Sequence, residues 1–170
     1  MAITKSGWYV NTLLAGLTAV AETGAGGMNV ALATNKVSLV LNTASDASAP
    51  LLFGSTTQAW VNTFEATGTG WVTGGVALST TNLGGSGVPQ LTISAGTPWY
   101  LQYSWTAGLA VSGTTLTNVY GMIVYCAVLT APIVAPNLLF ITFGAAYNTV
   151  AGVFGVTPSG SGLSQITLTQ

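Results

Sequence analysis

Apolar and polar residues alternate along most of this chain, most clearly over residues 99–106. There, every second position holds a large apolar side chain: Trp99, Leu101, Tyr103 and Trp105. A period of two places successive side chains on opposite faces of a β-strand, so Trp99, Tyr103 and Trp105 are predicted to face a core. Alternation or Val-, Ile- and Thr-rich composition predicts further strands at 36–42, 59–65, 72–79, 90–94, 115–127, 139–144, 150–156 and 165–169.

Clusters of glycine and serine separate these predicted strands. They lie at 68–70, 84–87, 112–113 and 158–162, and such residues favour tight turns. Many short strands with regular turns are typical of antiparallel sheets packed face to face. The sequence therefore predicts an all-β fold, an antiparallel β-sandwich or jelly-roll-like domain of about eight or nine strands.

A helical pattern occurs only near the start of the chain. Apolar residues recur there at intervals of three and four: Val10, Leu13, Leu14, Leu17 and Val20. Ser6 is a suitable N-cap, and glycines at 24–27 are suited to ending the helix. We therefore expect a short N-terminal helix or arm and a glycine-rich hinge at residues 1–27, followed by a single β-sandwich domain at residues 28–170.

Charge is almost absent from the chain. Its 170 residues include two lysines, three acidic residues, no arginine and no histidine, and the formal net charge is -1. The five charged residues are Lys5, Glu22, Lys36, Asp46 and Glu65. Without histidine or arginine there is no Ser–His or Cys–His pair, no imidazole ligand and no bidentate grip on phosphate. We therefore expect no enzyme, no cofactor, no metal and, since lysine and arginine are so few, no nucleic-acid partner.

So few charges leave a surface of Thr, Ser, Asn, Gln and Gly. Such a surface is hydrated, but it supplies little electrostatic repulsion between copies. The composition favours a subunit of a large assembly over the alternative, an ordinary secreted β domain. Mean hydropathy is +0.62, but the most apolar stretch, 119–147, is interrupted by Pro132 and Pro136 and has no flanking Lys or Arg. No membrane span is predicted, and the lone Cys126 is expected to be a buried thiol.

Three features allow a functional reading beside a structural one. Glycines at 68–75 could cradle phosphate, but no lysine follows, and a bulged hairpin is favoured. The aromatic residues of 99–105 could stack on sugar rings, but their alternation favours a core position. Asp46 and Glu65 could form a carboxylate pair, although nothing in the pattern brings them together.

Several motifs follow one another in the order found in a known family. The most specific is 65–78, with Glu65, Trp71 and Leu78 among glycines. It is similar to that family's signature of acidic-x-x-Gly-x-Gly-aromatic-x-x-Gly-Gly-x-x-Leu. Weaker matches are the start at 1–7, a strand at 36–41, a Trp-bearing strand around 105, a Tyr-bearing strand at 124–125, and the runs 139–144 and 165–169. The chain thus resembles small virion proteins of tailed bacteriophages, described as head decoration, minor capsid or minor tail proteins.

This resemblance implies a β-rich, non-enzymatic structural protein on the capsid surface that binds and stabilises the head shell. Its partners would be the major capsid protein or another virion structural protein, together with copies of itself, a trimer being one symmetrical form. A minor tail or tail-tip protein is the alternative, and a carbohydrate-binding β-sandwich is a further one. Family members carry acidic or arginine residues where this chain has 94–96 and 118–120, so ionic contacts are not expected to carry over.

The apolar stripe near the N-terminus is the predicted contact with a partner. An amphipathic helix or arm can lay its apolar residues in a groove of a neighbouring subunit. The residues assigned to this contact are Trp8, Tyr9, Leu13, Leu14 and Leu17.

Overall fold

The computed structural model describes residues 6–8, 31–44, 64–85, 87–94, 99–105, 107–130, 134–159 and 162–168. Within these ranges the regular structure is β throughout. The strands are β1 (Gly7–Trp8), β2 (Lys36–Leu41), β3 (Val76–Ala77), β4 (Pro89–Ser94), β5 (Trp99–Trp105), β6 (Leu109–Tyr125), β7 (Asn137–Val156) and β8 (Ser164–Leu168). None of the described residues forms a helix long and apolar enough to cross a membrane.

The strands form two antiparallel sheets. The larger has five strands in the order β1-β7-β6-β2-β3, and the smaller has three in the order β4-β5-β8. Long β6 and β7 form a hairpin at the centre of the larger sheet, with Leu109 opposite Val156 at one end and Tyr125 opposite Asn137 at the other. The all-β, antiparallel fold class is therefore confirmed.

Strand β5 attaches the smaller sheet to the larger one. Tyr103 and Trp105 are buried in one cluster with residues of β2, β6 and β7, as the alternation predicted. The Trp105 indole N–H donates to the carbonyl oxygen of Val156 at 3.2 Å, and the rings of Tyr103 and Trp8 meet edge to face at 5.6 Å. The core thus lies between the sheets, and β5 contributes large aromatic side chains to it.

Strand β2 is buried on both faces, whereas an alternating strand ordinarily has one face toward solvent. Ser38 is fully buried. A second apolar cluster containing Val40, Ile123 and Phe140 covers the face of the sheet away from the main core. Alternation predicted the strand correctly, but it could not show that both of its faces are covered.

One predicted turn and one predicted break between strands are bulges within the long strands β6 and β7. The pair at 112–113, predicted as a turn, lies within β6 at a shift of register. The predicted strands 139–144 and 150–156 are parts of the single strand β7. Gly144 and Ala151 adopt positive φ within β7, and the hairpin continues past both. A bulge keeps a strand paired while admitting an extra residue, so turn-forming residues need not end it.

Some other predicted elements differ from the structure, and some lie outside the described residues. The strand expected at 72–79 shortens to β3, and the helix expected from Ser6 is replaced at β1 by two residues of strand. Most of the strand expected at 59–65 lies outside the described residues, as do 1–5 and 9–27 of the predicted arm and hinge. The lone Cys126 has a buried thiol, as expected.

Candidate functional site

Of the five predicted partner-binding residues, Trp8 is described by the structure. It pairs with Leu139 of β7, is half-buried, and packs its ring against Tyr103 within its own chain. The other four, Tyr9, Leu13, Leu14 and Leu17, lie outside the described residues. Docking of this stripe on another subunit therefore stays a prediction, in which Trp8 already has an internal contact.

Three of the seven large apolar residues that are exposed in the described part of the chain lie on the outer half of β7, residues 143–156. Tyr147, Val150 and Val153 are 52%, 84% and 63% exposed. The position of β7 in the sheet explains this exposure. Among the described residues on the side away from β6, β1 pairs with Leu139 and Phe140, the Ser6 hydroxyl accepts the Thr142 N–H at 2.8 Å, and no described strand pairs with the rest of β7.

A row of aromatic rings connects this exposed surface to the core. Fully buried Trp71 meets Phe154 edge to face at 5.4 Å. Phe143 lies 6.1 Å from Phe154 and 6.0 Å from Tyr147, measured between ring centroids. Such contacts fix ring orientation, so Tyr147 is held by packed neighbours although half of it faces solvent.

A groove of about 430 Å³ runs beside the same strand. Its lining comes from residues between Phe143 and Thr157, including Tyr147, Val153 and Phe154. All of these residues belong to β7 or directly follow it. The groove therefore lies along the strand itself and offers apolar side chains, together with the amide of Asn148 and the hydroxyl of Thr149.

Side-chain hydrogen bonds hold β7 to β6 where its register shifts. The Asn148 side-chain oxygen accepts the backbone N–H of Asn118 at 2.7 Å, and the Thr149 hydroxyl accepts that of Leu116 at 3.1 Å. The Thr115 hydroxyl accepts the N–H of Ala151 at 3.1 Å. These bonds satisfy backbone donors that the irregular ladder leaves free, so the outer half of β7 is a built feature of the sheet.

The glycine-rich segment 65–78 forms a tight turn and an edge of the larger sheet. Gly68 and Trp71 exchange backbone hydrogen bonds of 3.0 Å in both directions, as the predicted hairpin requires. Gly75 has a φ of +69°, and a Cβ there would overlap the carbonyl oxygen of Val37. Glycine is required at this position because both the backbone conformation and the close approach exclude a side chain.

The buried side chain of Glu65 binds the backbone of this segment. It is 5% exposed, and its carboxylate oxygen Oε1 accepts the Gly74 backbone N–H at 2.8 Å. The Tyr125 hydroxyl donates to the carbonyl oxygen of the same glycine. Burial raises the pKa of Glu65, and its hydrogen bonds with Gly74 and Ser38 partly oppose that rise. Burial and the nearby Glu65 charge raise the pKa of Tyr125 to about 12.

These contacts give Glu65 a structural role. The possible partner acid, Asp46, lies outside the described residues. Among the residues that are described, no three acidic, Cys or His side chains come together in a group that could hold a metal. Trp71 and Trp105 are buried, so neither can stack on a sugar at the surface; the side chain of Trp99 is not described.

No family model, curated protein or solved structure matches this chain. Sequence reasoning missed the outer half of β7, because exposure of a strand edge depends on which strands pair with it. One signal was present: residues 137–156 contain no charge and no proline, whereas exposed edges usually carry one or the other.

Proposed function

We propose that this protein is a non-enzymatic structural protein of a tailed-bacteriophage virion, a decoration or minor capsid protein that binds the head shell and associates with copies of itself. It works through buried area and backbone hydrogen bonding, and many weak contacts add together on a repeating lattice. The proposed location in the virion is based on the resemblance of its motifs to small virion proteins. The proposed mode of binding is based on its uncharged surface.

The observation that carries this proposal is the exposed apolar edge of β7 on a chain with almost no charge. Tyr147, Val150 and Val153 lie on the outer half of one strand, and each is more than half exposed. Large exposed apolar residues grouped on a soluble domain are typical of protein contact sites. A chain with five charged residues has few groups for proton transfer or charge stabilisation, which favours a binding role over a catalytic one.

The segment 65–78 supports the resemblance in a second way. Its distinctive residues each have a definite place: Glu65 caps the segment internally, Trp71 fills the core, and Gly75 permits close contact with β2. A motif made of residues that specify a fold is informative about shared structure. The carbohydrate-binding alternative is weakened, because Trp71 and Trp105 are buried.

Location in the particle tests the proposal. Antibodies raised against the purified protein are used to label tailed particles from the source of this chain, viewed by immuno-electron microscopy, with peptide mass spectrometry of the same particles. Label on the heads is the expected result. Label on the tails alone would favour the minor tail alternative, and particles that lack the protein by both methods would overturn a virion role.

A salt wash gives an independent test of the mode of binding. Attachment through uncharged contacts should survive about 1 M NaCl, where the Debye length falls to about 3 Å. Quantitative release of the protein at moderate ionic strength would contradict attachment by polar, uncharged surfaces.

A further inference from the structure

Among the described residues, β7 has an open edge. Phe140 of β7 pairs with Gly7 of β1, and the Thr142 N–H donates to the Ser6 hydroxyl at 2.8 Å; beyond these contacts, no described strand pairs with β7 on the side away from β6. An open edge presents unpaired backbone N–H and C=O groups, which can bond to another strand. The open part, residues 143–156, is called the β7 edge below.

The β7 edge has little of the usual protection against pairing. Proteins commonly guard an edge with lysine, proline, inward-pointing charges or bulges. No lysine, proline or charged residue occurs between positions 137 and 156, which leaves the bulges at Gly144 and Ala151. Tyr147, Val150 and Val153 are exposed there, so the edge combines unpaired backbone with apolar side chains.

The absence of charge favours a second copy of this chain as the occupant. A basic or acidic partner strand would find no opposite charge on residues 143–156, and it would lose hydration on docking. Two copies of this chain, each with a formal charge of -1, repel one another very little.

The spacing of the exposed residues is also self-complementary. Tyr147 and Val153 each lie three positions from Val150. In an antiparallel pair with a twofold axis at Val150, Tyr147 of one copy would therefore face Val153 of the other. Each large apolar residue would then meet an apolar partner.

We propose that the β7 edge is a self-association surface at which two copies pair antiparallel about a twofold axis near Val150. The groove along β7 receives side chains of the second copy. This assignment rests on the self-association included in the proposed function, and it does not depend on attachment to a capsid.

The size of the surface sets the strength of the association. A standard interface uses 20–30 residues and about 800 Å² per partner, so about fourteen edge residues correspond to roughly 450 Å² per copy, or about 900 Å² in all. Interfaces of that size are weak and transient. The bulges at Gly144 and Ala151 shorten the regular runs further, so we expect a dimer that forms at high protein concentration.

Cysteine cross-linking tests the geometry. Under mild oxidation, the Val150→Cys variant should form an intermolecular disulfide, because directly opposed residues have Cβ atoms about 4.5–5.5 Å apart and a small shift brings them into bonding range. Val72→Cys is the matched control, since Val72 is 66% exposed on another segment. The native Cys126 is buried and should stay reduced in both. Equal cross-linking of the two variants, or none at Val150, would overturn the proposal.

Sedimentation velocity over a wide concentration range tests the association itself. The wild-type protein should shift from monomer toward dimer, and the Val150→Lys/Val153→Lys variant should require at least about tenfold more protein, because lysine at an edge opposes pairing. Val72→Lys should behave as the wild type. A wild type that stays monomeric, forms only trimers, or is unaffected by the two lysines refutes the β7 edge. Loss of head labelling with dimerisation intact would refute the capsid role alone.

Discussion

Replacing Glu65 by glutamine should remove most of the pH dependence of stability above the ordinary glutamate pKa of 4.5. Glu65 is buried and accepts the Gly74 N–H at 2.8 Å. Because burial raises its pKa above the ordinary value of 4.5, the folded chain retains a proton that the unfolded chain releases. A glutamine amide keeps the shape and the acceptor oxygen but cannot ionise.

The sign follows from proton linkage. For a carboxyl whose folded-state pKa is raised, the contribution to stability is fully present below the unfolded pKa and is lost as the pH rises through the folded pKa. In the wild-type protein, the free energy of unfolding should therefore fall from about pH 4.5 upward and level off above the raised pKa. One group can contribute a slope of at most about 1.4 kcal/mol per pH unit.

Few other groups titrate in this window, which makes the chain well suited to the measurement. It has no histidine, and its other acids are Glu22 and Asp46, whose ordinary pKa values lie near 4. The Tyr125 hydroxyl beside Glu65, with its pKa raised to about 12, stays protonated throughout. A slope between pH 5 and 7 is therefore assigned to Glu65.

The assay is urea unfolding at a series of pH values, followed by tryptophan fluorescence, since Trp71 and Trp105 are buried. Glu65→Gln should give a flat profile between pH 5 and 7. Glu65→Ala should also give a flat profile, about 1–3 kcal/mol below that of Glu65→Gln at every pH, because the Gly74 N–H loses its acceptor. Asp46→Asn, which also removes one negative charge, is the control and should keep the wild-type slope. A wild-type profile that rises from pH 5 to 7, or a Glu65→Gln profile with the same slope, would refute the reasoning.

Three further predictions concern the backbone and the core. In thermal unfolding, Gly75→Ala should destabilise the protein by more than about 2 kcal/mol, and Gly85→Ala should destabilise it less. Both glycines have positive φ, but only Gly75 has a close neighbour, at Val37. Ala151→Gly should raise stability by up to about 1 kcal/mol by relieving its φ of +46°; a loss measured by urea unfolding would count against strain there. Cys126, buried in the core, should react with a thiol reagent only as fast as the protein opens, and rapid labelling of the folded protein would contradict its burial.

Strand β5 was predicted best from the sequence, because its alternation of apolar residues matches burial against one core. Its alternate residues Tyr103 and Trp105 face a single core, so local periodicity carries the full information. Strand β2 was harder, since its neighbours cover both faces and Ser38 is buried among them. Alternation arises when one face of a strand is buried and the other is exposed. It therefore does not indicate burial where both faces are covered.

The length of β7 could not be predicted from local residues. The sequence predicts one strand that ends at Gly144 and another that begins at Val150, and Gly144 and Asn148 are residue types that favour turns. In the folded chain, β6 supplies side-chain partners such as Thr115 that hold the irregular positions in the sheet. Long-range pairing therefore overrides the local turn preference, and the exposed edge that results was invisible to a reading of short segments.

The low charge of the chain and the open edge of β7 have related consequences. A protein rich in charge can leave an edge exposed, because lysine or glutamate side chains on it oppose pairing between copies. This chain has no charged residue after Glu65, and Glu65 itself is buried. Hydrated threonine, serine and asparagine keep it in solution but do not direct copies apart. Its edge is then limited by the bulges at Gly144 and Ala151, which shorten the run available to a second strand and favour a discrete pair of copies over open-ended growth.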